Sequence, residues 1–186
     1  MLIVGKNLDA LMHQHNIVDD LTRFDNTSIA LRLDRSILVP NQHEIKNLKE
    51  PVTYGHAIPE GLLTLERIDD DGYTLLPQAA ILACTYEFVK MPMGYFGFIQ
   101  TKGSLARLLV SITCTDGQVE SGYQGRVTLE IVNHAPYSVC LPPLASIAQL
   151  FIFKTSTRLA GPYDGRYQHA DGPTFQLPLD GKKTDL

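Results

Sequence analysis

Apolar and polar side chains alternate with a period of two through much of this chain. In the stretch NTSIALRLD, Ile29, Leu31 and Leu33 fall on one side and Ala30, Arg32 and Asp34 on the other, the mark of a strand with one buried face. Apolar runs at 62–68, 73–76, 79–89 and 94–100 are broken by DDDG, Pro77 and MPMG, and further strands fit 107–113, 125–132, 137–141 and 146–153. Only the early segment 7–18 follows a helical period: Asn7 is placed to cap it, and Leu8, Leu11 and Met12 share a face. Many short strands separated by turn residues predict a mainly β fold, an antiparallel barrel or sandwich rather than a parallel α/β sheet. From Gly161 the chain is rich in turn residues, and it ends in the polar GKKTDL.

Two segments stand out against this pattern. In SGYQGRVTLEIVNH, Val127, Leu129 and Ile131 point one way while Arg126, Thr128 and Glu130 point the other. A carboxylate in the middle of a strong strand is either solvated or partnered, so Glu130 is a polar-face residue or a working group. In TKGSLARLL, Gly103 permits a tight turn and Ser104 can cap a short helix through Leu108. Backbone donors at such a start, with Lys102 and Arg107 nearby, fit either an anion cradle or an ordinary capped turn.

A chain of 186 residues with 44% hydrophobic and 19% charged residues fits one globular domain. Its net charge of −4 gives no support to a nucleic-acid polymer or an anionic membrane as partner. No run approaches the ~18 apolar residues of a membrane span, and the short apolar opening is soon interrupted by charge, so a soluble, cytoplasmic protein is expected. Cys84, Cys114 and Cys140 are scattered, as reduced thiols are. The chain lacks a Walker loop, a dinucleotide glycine fingerprint, a nucleophile elbow and the His-x-Glu…Pro-Cys-x-x-Cys pattern of zinc deaminases. His13 and His15, two apart on the expected helix, do not share a face as metal ligands would.

The ordered set TKGSLARLL…TDGQVESGYQGRVTLEIVN…SIAQLFIF…GPYDGRYQHADGP, with the earlier FDNTSIALRLD and LLPQAAILACTYEFVKMP, resembles the dCTP deaminase family of the dUTPase-like superfamily. The resemblance implies a distorted antiparallel β-barrel over residues 1–178, with a C-terminal flap from about residue 161 and a polar tail at 179–186. It also implies a homotrimer with active sites between subunits, and a pyrimidine deoxynucleoside triphosphate (dCTP, with dUTP or dTTP as alternatives) that carries Mg²⁺ on its phosphates. No protein-bound metal and no zinc are implied. The leading expectation is hydrolytic deamination of dCTP to dUTP and ammonia. The alternatives are a bifunctional enzyme that goes on to dUMP, a dUTPase-like pyrophosphatase, or a nucleotide-binding homologue with weakened catalysis.

Carried over by position, the resemblance makes Glu130 the catalytic acid and base, with Thr128 beside it and Arg107 supporting the site. Lys102 and Ser104 would meet phosphates, and Glu120 the deoxyribose and, in cleaving members, the attacking water, with Tyr123 following as the aromatic of the turn at the substrate. Gln149, Tyr163, Arg166 and Tyr167 match later nucleotide-contacting positions. Two residues depart from the family pattern while keeping the charge, Lys102 for an arginine and Arg166 for a lysine, and four depart further: Gly103 for a serine, Asp116 for an alanine, Glu120 for an aspartate and Ala170 for a glutamine.

Overall fold

The period-two alternation produces strands along most of the chain, and the computed structural model describes residues 1–113 and 116–179. The chain opens with β1 (Leu2–Ile3) and α1 (Gly5–His15), then passes through β2 (Phe24–Asp25), β3 (Ser28–Arg32) and β4 (Ser36–Pro40) to α2 (Gln42–Asn47). A loop leads to β5 (Leu63–Arg67), β6 (Tyr73–Leu75), β7 (Ala80–Cys84), β8 (Val89–Lys90) and β9 (Tyr95–Thr101). The remaining elements are α3 (Gly103–Ala106), β10 (Val110–Ser111), β11 (Gln118–Val119), β12 (Gln124–Gly125), β13 (Thr128–Asn133), β14 (Val139–Leu141) and β15 (Ser146–Lys154).

One sheet has the order β11-β9-β15-β3-β2, with β1 also paired to β15, and the other runs β10-β13-β7-β4-β5. Two ribbons, β12-β8 and β14-β6, complete the pairing, and the ladders between these strands are antiparallel. A single apolar cluster takes Ile29, Leu31, Ile99 and Leu150 from the first sheet and Ile37, Ile81, Leu129 and Ile131 from the second. Leu8, Leu11 and Met12 of α1 pack into the same cluster, as their spacing predicts. The mainly β, antiparallel class read from the sequence is the one found.

The boundaries differ where local geometry overrides periodicity. Helix α1 starts at Gly5, so Asn7 lies inside it and does not cap it, and it stops at Asn16, which takes a left-handed conformation (φ 48°). Ser104 is likewise not a cap: Lys102 occupies that place, with no side-chain cap bond. The expected strand 107–113 keeps only β10, because Leu109 turns the backbone at φ 60°. The run 79–89 splits into β7 and β8 around Thr85–Glu87, where the Thr85 hydroxyl donates to the Glu87 carbonyl at 2.8 Å.

Strand β13, which carries Glu130, is anchored at its far end by Asn133. This side chain is fully buried and its amide nitrogen donates to the carbonyls of Leu75, Leu76 and Tyr137 at 3.1, 3.1 and 2.8 Å. Its Oδ1 accepts from the Ala135 N–H at 2.9 Å, so a buried amide has its partners. The thiol of Cys84, on the neighbouring β7, is pushed up to about 12 by burial and the nearby Asp34 charge, and so stays protonated at neutral pH. Cys114 lies outside the described residues, as do residues 180–186 of the expected tail. Among the described residues no helix is long and apolar enough to cross a membrane.

Candidate active site

Alternation along β13 buries Leu129 and Ile131 completely and leaves Thr128 and Glu130 half-buried on the opposite face. That face forms one wall of a cavity of about 430 Å³. Asp116, Glu120, Tyr123, Tyr163 and Tyr167 line it together with Thr128 and Glu130. The Asp116 N–H donates to Glu130 Oε2 at 3.3 Å, and Thr113 bridges Glu130 through the backbone. Asp116 itself is held in a tight turn, its Oδ1 accepting from the Gln118 N–H at 3.0 Å.

The electrostatics of the cavity are one-sided. Among the described residues its lining includes three carboxylates and no Lys, Arg or His. Although the outer part of Glu120 is exposed, burial of the group against the cavity wall raises its pKa above the ordinary carboxylate range, and the Asp116 charge adds to this. Its charge is therefore lost at a higher pH, on acidification, than that of a free glutamate. Burial also raises the phenol of Tyr123, whose hydroxyl donates to the Arg126 carbonyl at 2.9 Å. Tyr163 meets Tyr123 edge-on, with ring centroids 5.7 Å apart.

The far wall comes from the C-terminal segment. Tyr163 N–H donates to the Ser121 carbonyl at 2.8 Å, His169 N–H to Gln124 at 2.7 Å, and the Arg126 N–H to Ala170 at 2.7 Å. Gln168 staples the segment further, accepting from the Gln124 N–H and donating to the carbonyls of Gly122 and Tyr163. Gly122 is required beneath it, since a Cβ there would collide with Pro162. Beyond, Thr174 N–H donates to Thr128 Oγ1 at 3.1 Å, and Phe175 and Gln176 complete the cavity.

Residues 2–155 match the family described as dCTP deaminase-like. The chain belongs to the dCTP deaminase-like family. It is 33% identical over 153 residues to a protein of Streptomyces griseus named dCTP deaminase, dUMP-forming, a match covering 80% of this chain and 78% of that one. A protein of the same name from Sulfurihydrogenibium is 31% identical over 160 residues, covering 86% and 84% of the two chains. The fold is similar to that of the 2'-deoxycytidine 5'-triphosphate deaminase of Agrobacterium tumefaciens, with a TM-score of 0.59 at 14% identity. That match covers 81% of this chain and 47% of the other, about half its length.

In this dCTP deaminase-like chain, the cavity gathers Glu130, Thr128, Asp116, Glu120, Tyr123, Tyr163 and Tyr167 out of the residues singled out in the sequence. Arg166 lies next door, in a cleft shared with Tyr163, Tyr167 and Leu177. Lys102, Gly103, Ser104 and Arg107 stand apart, on α3 and at its two ends, and the last three are exposed. Gln149 is engaged within the first sheet, where its amide donates to Ser28 Oγ at 3.1 Å.

Sequence reasoning missed the latch that holds the C-terminal strap. Leu179 N–H donates to the Gly55 carbonyl at 2.8 Å, and the Gly55 N–H to Gln176 Oε1 at 3.3 Å. Gly55 has φ 84°, and a Cβ there would lie 2.6 Å from Leu179 Cδ1. Gly55→Val is expected to unlatch residues 174–179. Chymotrypsin should then cut after Phe175 at least about 5-fold sooner than in the wild type, because cleavage follows the population of the open strap. Equal cleavage rates, read by mass spectrometry, would show that Gly55 does not hold it.

Proposed function

We propose that the protein hydrolyses dCTP to dUMP, ammonia and pyrophosphate, deaminating the base and then cleaving the triphosphate. The observation that carries this reading is the placing of Glu130: the polar face of β13 presents it to a cavity, with the Asp116 amide on one of its oxygens, in a chain of the dCTP deaminase-like family. The sequence alone led with release of dUTP. The relatives named dUMP-forming favour the bifunctional alternative instead.

Glu130 takes a proton from water as the oxygen adds to the amine-bearing carbon of the ring. One proton of the water ends on the ring nitrogen beside that carbon and the other on the amine. The C–N bond then breaks, a carbonyl replaces the amine and ammonia leaves. The Asp116 N–H fixes the orientation of the Glu130 carboxylate, so the base is positioned before substrate arrives. Glu120, at the cavity edge, is assigned to the second step, where it orients a water towards the α-phosphorus. The flap carrying Tyr163, Arg166 and Tyr167 closes over the nucleotide and excludes bulk water.

A triphosphate needs cations, and the described residues that line the cavity include none. We assign these to Lys102 and Arg107 of a second copy, with Ser104 as a further donor. The exposure of Ser104 and Arg107 at α3, beside the exposed Leu108 and Leu109 and the half-buried Lys102, suits a homotrimer whose sites lie between subunits. Among the described residues no group of three or more His, Cys, Asp or Glu could hold a metal ion, and in this reading magnesium is bound to the phosphates of the substrate and neutralises their charge.

The test is product analysis with dCTP and magnesium. Ammonia, dUMP and pyrophosphate should accumulate in equal amounts. Ammonia with dUTP alone would reduce the activity to the first step. Pyrophosphate from dUTP with no turnover of dCTP would contradict the deaminase reading.

A further inference from the structure

We propose that Asp116 is the residue by which this cavity selects a cytosine ring over a uracil ring. The inference rests on the deaminase reading above. Asp116 N–H donates to Glu130 Oε2 at 3.3 Å, so the Asp116 side chain branches two bonds from an atom that touches the catalytic carboxylate. Asp116 lines the same cavity, and the one described bond of its carboxylate, from the Gln118 N–H to Oδ1, leaves acceptor capacity on both oxygens. Its charge reaches into the cavity, where it helps to hold the Glu120 carboxyl above its ordinary range.

The two bases differ in one group at the reacting carbon. Cytosine presents an amine, which donates hydrogen bonds, whereas uracil presents a carbonyl, which only accepts them. Glu130 and Asp116 offer carboxylate oxygens there, and the described residues of the lining include no Lys, Arg or His. An amine meets acceptors, and a carbonyl meets like partial charge. Discrimination by such a mismatch comes from the repelled ligand as much as from the favoured one.

Deamination therefore reverses the sign of the contact at the moment it occurs, turning a donor into an acceptor beside Asp116. The uracil nucleotide formed in place is still held by its triphosphate, so cleavage to dUMP competes with escape. Free dUTP has no such advantage and enters poorly.

The test compares kcat/KM for dCTP and dUTP, read as pyrophosphate release, in wild type, Asp116→Ala and Asp116→Asn. Asn keeps an oxygen for the Gln118 N–H and removes the charge, which separates turn geometry from electrostatics. Wild type should prefer dCTP by about 10-fold or more, and both variants should shift the ratio towards dUTP by about 10-fold, chiefly through KM for dUTP. A ratio unchanged within about twofold in both variants, with dCTP turnover retained, overturns the role of Asp116. If wild type turns over neither nucleotide, the deaminase reading fails separately, and equilibrium binding of non-hydrolysable imido analogues of dCTP and dUTP decides about Asp116. A preference for the cytosine analogue that Asp116→Asn abolishes supports the inference, and a preference that is absent or unchanged overturns it.

Discussion

Glu130→Gln is expected to abolish ammonia release from dCTP, lowering its rate by about 10²–10⁴-fold, the range that a positioned proton-transfer group contributes. The amide has the size of the carboxylate, and its oxygen can still accept from the Asp116 N–H. It cannot take a proton from water. Nucleotide affinity should change little, because the variant removes a negative charge from a cavity that already holds Asp116 and Glu120. Rapid-quench measurement of ammonia alongside calorimetric binding separates the two effects. Turnover within a few-fold of wild type would remove Glu130 from the chemistry, whatever its place in the cavity.

The second large effect concerns the scaffold. Glu87 is fully buried, and its Oε2 accepts from the Arg32 N–H at 2.7 Å while Oε1 accepts from Arg32 Nε at 2.6 Å. The Arg32 guanidinium also reaches Asp20 Oδ2 at 3.3 Å and lies over the Tyr86 ring, 4.7 Å from its centroid. Glu87→Ala leaves Arg32 with a backbone donor and a charge short of their main partner, which should cost about 3–5 kcal/mol in urea unfolding. Glu87→Gln should cost less, since the amide oxygen still accepts one of the two bonds. A loss under about 1 kcal/mol for Glu87→Ala would mean that water or Asp20 replaces the carboxylate, and that the pair is not what fixes the β7–β8 turn. Both proteins must be compared at one chain concentration, because the proposed assembly would add to apparent stability.

How far these features could be read in advance depended on the distance over which each is decided. The face of β13 was legible because Val127, Leu129 and Ile131 alternate strictly with Arg126, Thr128 and Glu130, and the contrast survives folding. The same holds for Leu8, Leu11 and Met12 on α1. Glu87 was hidden inside an apparently apolar run, since nothing local distinguishes an acid that will meet Arg32, 55 residues away, from one that will face water. Gln168 and the Gly55 latch were also illegible. Their partners lie 44 and 121 residues away in the chain, and neither carries a periodic or capping signal. The motif order placed Lys102, Ser104 and Arg107 in one site with Glu130, whereas a single chain keeps α3 outside the cavity. Only a second copy can bring them together in the proposed account.

The most direct test of that account is turnover of dCTP in water enriched in oxygen-18, with mass spectrometry of the nucleotide product. Hydrolytic replacement of the amine predicts heavy oxygen in the uracil ring of dUMP, with additional label in its phosphate or in the released pyrophosphate. Formation of dUMP with an unlabelled base, or label confined to the phosphates, would contradict water activation by Glu130 as the central step.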